Sequence, residues 1–388
     1  MKFNLSDICD YAKGKIDVAV LDEDTYISTE NMMPNKGGIT SASSLPTLAQ
    51  TQAFSAGDVL VSNIRPYFKK IWFAEYDGGC SNDVLVFRAK DGVSKRFLYY
   101  VLADDTFFDY SMATSKGTKM PRGDKAAIMK YGVPDFTFEE QEKIAGILEV
   151  LDRKIQINTE INDNLEQQLR TIFKAEFTDN PELENITQIP LSELCHVVTK
   201  GTTPTTLGKP FVESGINFIK AESILDDHSI DKSKFAFIDE ETNALLKRSI
   251  IHAGDVVFTI AGTLGRFALI DENVLPANTN QAVAIIRADV EKVLPEYIYT
   301  CFIGEWHTDY YAKRVQQAVQ ANLSLTTIKS LPIPLLDEAK MSEYLSLILP
   351  LIKAIKTNET QNEKLAASRD ILLPKLMSGE IDVSAVQL

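Results

Sequence analysis

The sequence contains few of the residues that build disulfide frameworks and metal sites. It has four cysteines and four histidines in 388 residues, and neither set shows the close spacing of metal ligands. The cysteines are Cys9, Cys80, Cys195 and Cys301. Thiols this far apart are typical of a reducing compartment, so we expect a cytoplasmic protein without disulfide bonds or bound metal.

Long apolar runs and the motifs of common enzymes are also missing. No stretch of about 18 apolar residues occurs, and residues 1–4 do not begin a signal peptide, so we expect no membrane association. The chain has no Gly-x-x-x-x-Gly-Lys-Ser/Thr loop for nucleotide phosphates. It also lacks a glycine-rich loop followed by the acidic–Pro-Pro–aromatic motif of a methyltransferase. We therefore expect no catalytic residues and no cofactor on this chain.

The negative charge of the chain is concentrated in one segment. Of the net charge of −14, half lies in residues 136–185, which carry 12 acidic and 5 basic side chains. The other segments are closer to neutral. Because a phosphate backbone responds to the local field, the overall charge neither excludes nor supports nucleic-acid binding.

The second half of the chain repeats the first half about 200 residues later. Leu5-Ser6-Asp7-Ile8-Cys9 corresponds to Leu191-Ser192-Glu193-Leu194-Cys195, and Ala56-Gly57-Asp58-Val59 to Ala253-Gly254-Asp255-Val256. Matches 200 positions apart join Tyr99, Asp109, Tyr110, Ile128, Pro134, Leu151, Ile155, Asn158, Asn162 and Leu165 to Tyr299, Asp309, Tyr310, Ile328, Pro334, Leu351, Ile355, Asn358, Asn362 and Leu365. A repeat of this length predicts two similar modules with two similar roles.

Each repeat begins with a portion that has the pattern of an α+β domain. Short β-type runs lie between glycine- and proline-containing loops, and a short helix is predicted after each set, at 96–105 and 296–305. The predicted strands are 58–62, 70–74 and 83–87, with 255–259, 266–270 and 282–286 in the second repeat. We assign the two domains to residues 1–135 and 186–336.

Each repeat ends with a long predicted helix, within residues 136–185 and 337–388. Thr137 and Glu140 form a predicted capping box at the start of the first helix. We expect Pro350 to kink the second helix and Pro374 to end it. An apolar heptad seam is formed by Ile144, Leu148, Leu151, Ile155, Asn158, Asn162, Leu165, Leu169 and Ile172, and by Tyr344, Ile348, Leu351, Ile355, Asn358, Asn362, Leu365, Arg369 and Leu372.

Two asparagines occupy neighbouring seam positions in each helix. A seam asparagine costs stability but fixes register, because its amide needs a facing amide. Antiparallel helices would place Asn158 opposite Asn362 and Asn162 opposite Asn358, with one imperfect layer at Arg369. Parallel helices would also match asparagines, so the seam leaves the direction open. The order of domain and helix favours the antiparallel pair, and helices of about 50 Å would span on the order of 15 base pairs.

These features carry a resemblance to a known family. The chain resembles the specificity subunit of type I restriction–modification systems over essentially its full length. The resemblance is carried by residues 141–148 leading into 151–155, by Asn158 and Asn162, by the tail 372–381, and by residues 253–259 leading into 262–266. The first domain departs from the family's strand–loop–strand at 63–70, where those glycines are lacking.

The resemblance implies an α+β protein with two target recognition domains in tandem. A long spacer helix would follow each domain, and the two helices would pack as an antiparallel coiled coil with pseudo-twofold symmetry. Each domain would read one half of a bipartite sequence in double-stranded DNA, and the helices would set the gap. Two methylation subunits holding S-adenosylmethionine would dock on the helices, and restriction/translocase subunits would join them. The specificity subunit itself would do no chemistry.

Predicted DNA contacts are basic and polar residues in loops, because phosphate and base edges are read by such side chains. Each of these residues is alternatively a solvated surface side chain. We expect Tyr67 and Phe68 to be core residues rather than base-stacking ones. The predicted contacts are Arg65, Lys69, Lys70, Lys116, Thr118, Lys119, Arg122, Lys200, Thr202, Thr203, Lys209, Lys220, Arg266, Asn280, Gln281, Lys313 and Arg314.

Apolar residues off the helix seam are the predicted docking face for methylation subunits. They are Ile157, Ile161 and Phe173, which alternatively pack on the recognition domains. Two other hypotheses remain. A duplicated scaffold without a DNA role is favoured by the pI near 4.9, and a fused methyltransferase is opposed by the missing cofactor motif.

Overall fold

The chain divides into two compact units. One contains Met1–Ile155 with Lys364–Leu388, and the other contains Gln156–Glu363. Each unit therefore holds one α+β domain together with a part of each long helix. In the computed structural model the described residues are 3–180, 186–308, 310, 322–384 and 386.

The first unit is built on a four-stranded antiparallel sheet. Its strand order is Cys9–Tyr11, Val84–Ala89, Val59–Ser62 and Ile71–Phe73. A second sheet contains Lys15–Asp17, Gln50–Phe54, Gly78–Cys80 and Tyr26–Ile27, and Phe3–Asn4 pairs with Gly132–Val133. The short helices of this unit are Leu5–Ile8, Lys95–Ala103, Asp105–Ala113 and Lys125–Ile128.

The second unit repeats this arrangement. Its four-stranded antiparallel sheet has the order Cys195–Lys200, Val283–Ala288, Val256–Thr259 and Phe267–Leu269. A second sheet contains Ala236–Ile238, Ile216–Ile219 and Ala277–Thr279, and Gln188–Pro190 pairs with Pro332–Pro334. The short helices among the described residues of this unit are Glu240–Leu245, Pro295–Ile303 and Leu325–Lys329. All six predicted strands and both predicted short helices are confirmed, with ends that shift by up to two residues.

The central strands are mainly apolar, and both of their faces are buried. In Val59–Ser62, Val59 and Val61 contribute to the core beneath the helices, whereas Leu60 contributes to the core beneath the second sheet. Val256 and Val257 divide in the same way in the second unit. Strands covered on both sides read as continuous hydrophobic runs. Each buried valine or leucine stabilises the fold by about 1.5–3 kcal/mol.

The repeated Ala-Gly-Asp-Val motif forms the same turn in both domains. Asp58 accepts two hydrogen bonds from Arg88, at 2.6 and 2.7 Å, and Asp255 accepts two from Arg287, both at 2.7 Å. Each carboxylate also accepts the backbone N–H three residues earlier, at 2.8 Å. Both aspartates are buried. The motif therefore fastens the turn to the next strand of the sheet and is a structural feature.

The two long helices are Phe138–Phe177 and Glu338–Met377. The predicted capping box is confirmed, since Glu140 N–H donates to Thr137 Oγ1 and Thr137 N–H donates to Glu140 Oε2. The prediction that Pro374 ends the second helix was wrong, because the helix continues to Met377. Pro374 cannot donate a backbone hydrogen bond, but its carbonyl still accepts one from Ser378 N–H at 2.9 Å, which closes the last turn.

The helices pair in the antiparallel direction. In the second unit, Asn158 Nδ2 donates to Asn362 Oδ1 and Asn358 Nδ2 donates to Asn162 Oδ1, both at 2.8 Å. These are the partners predicted for antiparallel helices, and they settle the direction that the seam left open.

The imperfect seam layer at Arg369 lies in the first unit, where an ion pair satisfies it. Arg369 Nη1 donates to Asp152 Oδ1 at 2.8 Å, and the hydroxyl of Tyr100 donates to the other oxygen of the same carboxylate. Arg369 thus occupies an otherwise apolar seam position with its charge paired to Asp152.

Candidate nucleic-acid interface

In the first domain, the two predicted groups of DNA contacts lie side by side. Arg65 N–H donates to Pro121 O at 2.8 Å, and Gly123 N–H donates to Asn63 O at 3.2 Å. Asn63 N–H in turn donates to Asp83 O at 2.8 Å. We call these three adjoining loops, residues 63–70, 81–83 and 115–123, the first loop edge. They follow or precede the central strands at one end of the sheet.

Most cations of the first loop edge already have a partner in the protein. Lys69 Nζ lies 2.8 Å from Asp105, Lys116 Nζ 2.5 Å from Asp124, and Arg122 Nη2 3.1 Å from Asp83. Lys70 Nζ donates to Thr29 O at 2.6 Å, and burial lowers its pKa.

Lys119 and Thr118 are exposed, and Lys119 has no ion pair among the described residues. No local pattern reveals these differences, because Asp83 and Asp105 are distant in the chain from their partners.

Two aromatic residues of this edge are exposed. The exposed fraction is 48% for Tyr67 and 37% for Phe68, so the expectation that they are core residues was wrong. They lie in the 3-10 turn Pro66–Phe68, between Arg65 and Lys69, which both have a φ of 50°. These two left-handed residues flank the turn that carries the rings.

The loops of this edge carry positive charge in an acidic protein. Residues 63–70 and 115–123 contain three cations each and no carboxylate. The partners Asp83, Asp105 and Asp124 neutralise only half of these six cations. In addition, Asn63 Oδ1 and Arg65 Nε are buried without a hydrogen-bond partner among the described residues. Buried polar groups are normally satisfied, so this loop is a candidate site on physical grounds.

A polar cleft of about 600 Å³ beside this edge was missed by the sequence analysis. Its lining includes Ser28, Thr40, Ser43 and Met120. Asn31 Nδ2 closes the loop around it by donating to Tyr26 O at 3.0 Å and to Thr40 O at 2.8 Å. The serine-rich run at 40–44 was the available signal, but such composition is typical of any loop.

The equivalent loops of the second domain meet through the same backbone hydrogen bonds. Ile260 N–H donates to Ala282 O at 2.8 Å, as Asn63 does to Asp83, and Leu323 N–H donates to Ile260 O at 2.9 Å, as Gly123 does to Asn63. We call residues 200–206, 260–266, 279–282 and 322–323 the second loop edge. It lies at the same end of its sheet as the first loop edge does.

Several predicted contacts converge on the second loop edge. Gly201 N–H donates to Asn280 O at 3.1 Å, and the Thr203 hydroxyl donates to Gln281 Oε1. Lys220 follows the strand Ile216–Ile219, which runs parallel to Ala277–Thr279, so Lys220 and Asn280 emerge at the same sheet end. The predicted set Lys200, Thr202, Thr203, Lys220, Asn280 and Gln281 is therefore brought together.

Several other cations of the second domain pair with carboxylates, and one cation near the second loop edge was not predicted as a DNA contact. Lys209 pairs with Glu241 at 2.7 Å, Lys220 with Glu222 at 3.0 Å, and Arg266 makes two hydrogen bonds of 2.6 Å to Asp226. Arg248, which the sequence analysis missed, donates to Thr202 Oγ1 at 3.4 Å. Lys200 has no ion pair within the part of the chain that the structure describes. Lys313 and Arg314 lie outside the described residues.

The predicted docking face on the first long helix is only partly exposed. The exposed fraction is 40% for Ile157 and 42% for Ile161, but Phe173 is buried in the core of the second unit. A side chain at Gly304 would collide with the Phe173 ring. Phe173 is therefore a packing residue, as the alternative prediction had it.

The sequence matches one protein family over most of its length. Residues 1–167 and 184–367 match the type I restriction modification DNA specificity domain. The chain belongs to this family. The two matched segments correspond to the two repeats, so each repeat is one copy of the specificity domain.

Individual relatives are similar along the chain. It is 26% identical over 315 residues to the specificity subunit of the type I restriction enzyme MjaIX of Methanocaldococcus jannaschii, covering 76% of this chain and 71% of that one. It is 24% identical over 471 residues to the HindI specificity subunit of Haemophilus influenzae, covering 98% and 99%. The crystal structure of the S subunit from M. genitalium covers 97% of this chain and 96% of its own, at 16% identity and a TM-score of 0.55, which supports the fold.

These matches confirm the predicted family, fold class and DNA-recognition role of this specificity-domain protein. Its named relatives are specificity subunits, so the expectation of a non-catalytic chain is confirmed by family membership. Family membership also implies that the protein binds DNA and assembles with other restriction–modification subunits. No helix among the described residues is both long and apolar enough to cross a membrane. Those residues also contain no cluster of three metal-ligating side chains.

Proposed function

We propose that the two loop edges read the two halves of one bipartite DNA target. The observation that supports this is their equivalence: the same pair of backbone hydrogen bonds joins the loops at the same end of the same sheet in both domains. Most of the predicted DNA contacts lie at these two places. Lys209 does not, and Lys313 and Arg314 lie outside the described residues. Two loop edges with the same backbone framework and different side chains are suited to reading two different half-sites.

The side chains at each edge divide into two roles. Lys119 and Lys200 are among the cations without an ion pair in the described part of the chain, and they contact phosphates. Arg248 and the amides of Asn280 and Gln281 are the groups of the second edge suited to base edges, since amides pair with adenine in the major groove. Family membership supports DNA as the ligand, and the alternative of a scaffold without DNA binding is not favoured.

The long helices set the gap between the half-sites and hold the partners. The asparagine layers fix the register of the two helices, so the gap has one length. Two methylation subunits, which carry S-adenosylmethionine, dock on the helices, and restriction/translocase subunits join them in the cytoplasm. Ile157 and Ile161 support this docking, because large aliphatic side chains about 40% exposed on a helix gain from being covered.

The experiment is to map methylated adenines in cells that express the full chain with its methylation subunit. We expect one asymmetric motif of two short half-sites separated by a fixed gap. DNA retention by the purified complex should fall steeply between low and high salt. Absence of new methylation together with absence of DNA retention would contradict the proposal, and partner-independent binding of other proteins would then favour the scaffold.

A further inference from the structure

Tyr67 and Phe68 form an exposed aromatic pair at the tip of the first loop edge. Their ring centroids are 4.6 Å apart at an angle of 52°, and about half of Tyr67 and more than a third of Phe68 are exposed. Aromatic side chains usually gain most of their stabilisation from burial. Two adjacent rings left in solvent at a loop tip therefore point to a partner that covers them.

The turn that carries the pair is held in a strained conformation. Arg65 and Lys69, on its two sides, both have a φ of 50°, which residues other than glycine rarely adopt. Asn35 and Lys36 donate backbone hydrogen bonds to Phe68 O and Lys69 O, at 2.8 and 2.9 Å. Strained turns fixed by their surroundings are found at functional sites, where they hold side chains in place.

An ion-pair cluster locks this turn further. Asp105 accepts both Lys36 and Lys69 at 2.8 Å, which ties the two loops to the start of the helix Asp105–Ala113. The rings are thus presented on a rigid base. Little conformational freedom would be lost when a partner covers them.

The charge around the pair identifies the partner. The loop 63–70 and the neighbouring loop 115–123 carry cations and no carboxylate, and Lys70 Nζ lies 5.9 Å from the centre of the Phe68 ring. A ligand that is anionic outside and presents flat apolar surfaces inside is a nucleic acid. Duplex DNA offers such surfaces only between its base pairs, which apolar side chains reach by inserting at a base step.

The equivalent loop of the second domain lacks this device. Its left-handed positions are Gly262 and Gly265, where a side chain would meet nothing within 4 Å, and residues 260–266 include no aromatic residue. The backbone is turned by glycine there and by strained cationic residues in the first domain. The aromatic pair therefore belongs to one domain only.

We propose that Tyr67 and Phe68 form an aromatic wedge that unstacks one base step in the half-site read by the first domain. This inference rests on the proposed DNA-recognition function. The second domain reads its half-site without a wedge. The two half-sites are then distinguished by DNA deformability as well as by base edges, because pyrimidine–purine steps unstack most easily.

The test uses the complex of the full chain with its methylation subunits and a duplex carrying the mapped motif. 2-Aminopurine replaces one purine at a time in both half-sites, excluding the methylated adenines. We expect fluorescence to rise several-fold at one step of one half-site and at none of the other half-site. Tyr67→Ser with Phe68→Ser should abolish the rise and weaken binding about 10- to 100-fold, whereas Tyr67→Phe should stay within about twofold of the parent.

The matched control is Val20→Ser, which removes a side chain that is 71% exposed in the same domain and should change neither readout. Normal DNA binding by the parent without a fluorescence rise would overturn the wedge and leave the proposed function standing. Unchanged affinity of the double variant would also overturn it, and the pair would then be a surface for a protein. Failure of the parent complex to bind the motif would overturn the proposed function itself.

Discussion

The two domains share a framework and differ in their loops. The strand order of the main sheet, the pairing of the first strand with the last, and the buried Asp–Arg pair recur in both. The loops at one end of the sheet are held by equivalent backbone hydrogen bonds but carry unrelated side chains. The difference shows where the repeats are constrained by folding and where they are free to acquire separate targets.

The largest effect is expected at the shared framework, where the buried Asp–Arg pairs can be broken one at a time. Arg287→Ala leaves the fully buried Asp255 without its partner and should cost about 3–5 kcal/mol in the free energy of unfolding. Arg88→Ala should cost somewhat less, because the Arg88 side chain is 45% exposed whereas that of Arg287 is 26% exposed. Hydrogen exchange, read separately in each unit, measures both costs. A loss below about 1 kcal/mol in both would show that the motif is not structural.

The long helices are the part in which the repeats are most alike, and their asparagine layers can be tested by substitution. Asn362→Leu leaves the buried amide of Asn158 with only its hydrogen bond to Gln361 Oε1, at 2.9 Å, and should cost about 1–3 kcal/mol in the free energy of unfolding. The double change Asn158→Leu with Asn362→Leu should recover part of that loss, as coupled residues do. Denaturant unfolding of the four proteins of this cycle gives the coupling energy. Additive losses would mean that the two amides do not depend on each other.

We expect the two domains to differ in function at the loop edges, where each contacts DNA. Lys119→Glu and Lys200→Glu should each weaken DNA binding about tenfold and reduce the salt slope by about one. Lys95→Glu, in an exposed position beyond the opposite end of the strand Val84–Ala89, is the control and should change neither. Binding measured from low to high salt gives both quantities. Equal effects of all three variants would indicate that DNA binding responds only to the net charge of the protein and not to contacts at the loop edges.

The smallest effect on stability is expected at the helix surface. Ile157→Ser with Ile161→Ser should change the free energy of unfolding by less than about 0.5 kcal/mol, because both side chains are exposed. The same variant should lose affinity for the methylation subunit, measured by sedimentation or calorimetry. Val150→Ser, 63% exposed on the same helix, is the control for a nonspecific loss of apolar surface. Unchanged assembly of the double variant would place the docking face elsewhere.

Local patterns predicted the strands, the long helices and the asparagine partners. These features depend on periodicity and capping, which are local properties of the chain. The direction of the helix pair was not fixed by the seam, since both directions match asparagines. It follows from contacts between residues about 200 positions apart, such as Asn158 with Asn362.

The residues of the candidate site were proposed from the sequence, but their contacts within the protein were not predicted. The sequence did not predict that the chosen loops adjoin one another, and Lys69 and Lys116 are held by carboxylates that no local pattern reveals. Tyr67 and Phe68 face solvent because of the backbone at Arg65 and Lys69, where the sequence shows no glycine to announce a left-handed turn. Whether each predicted residue contacts DNA remains a prediction.

The central claim is that the two equivalent loop edges contact different halves of one target. A DNA-cleaving reagent attached to Lys119→Cys or to Lys200→Cys tests it directly in the complex bound to its mapped motif. Labelling is selective, because burial raises the pKa of the Cys9, Cys80 and Cys195 thiols to about 12 and that of Cys301 further. We predict that the reagent at residue 119 cuts in or beside one half-site and the reagent at residue 200 in or beside the other. Cleavage of the same half-site by both, or of neither, would contradict the account.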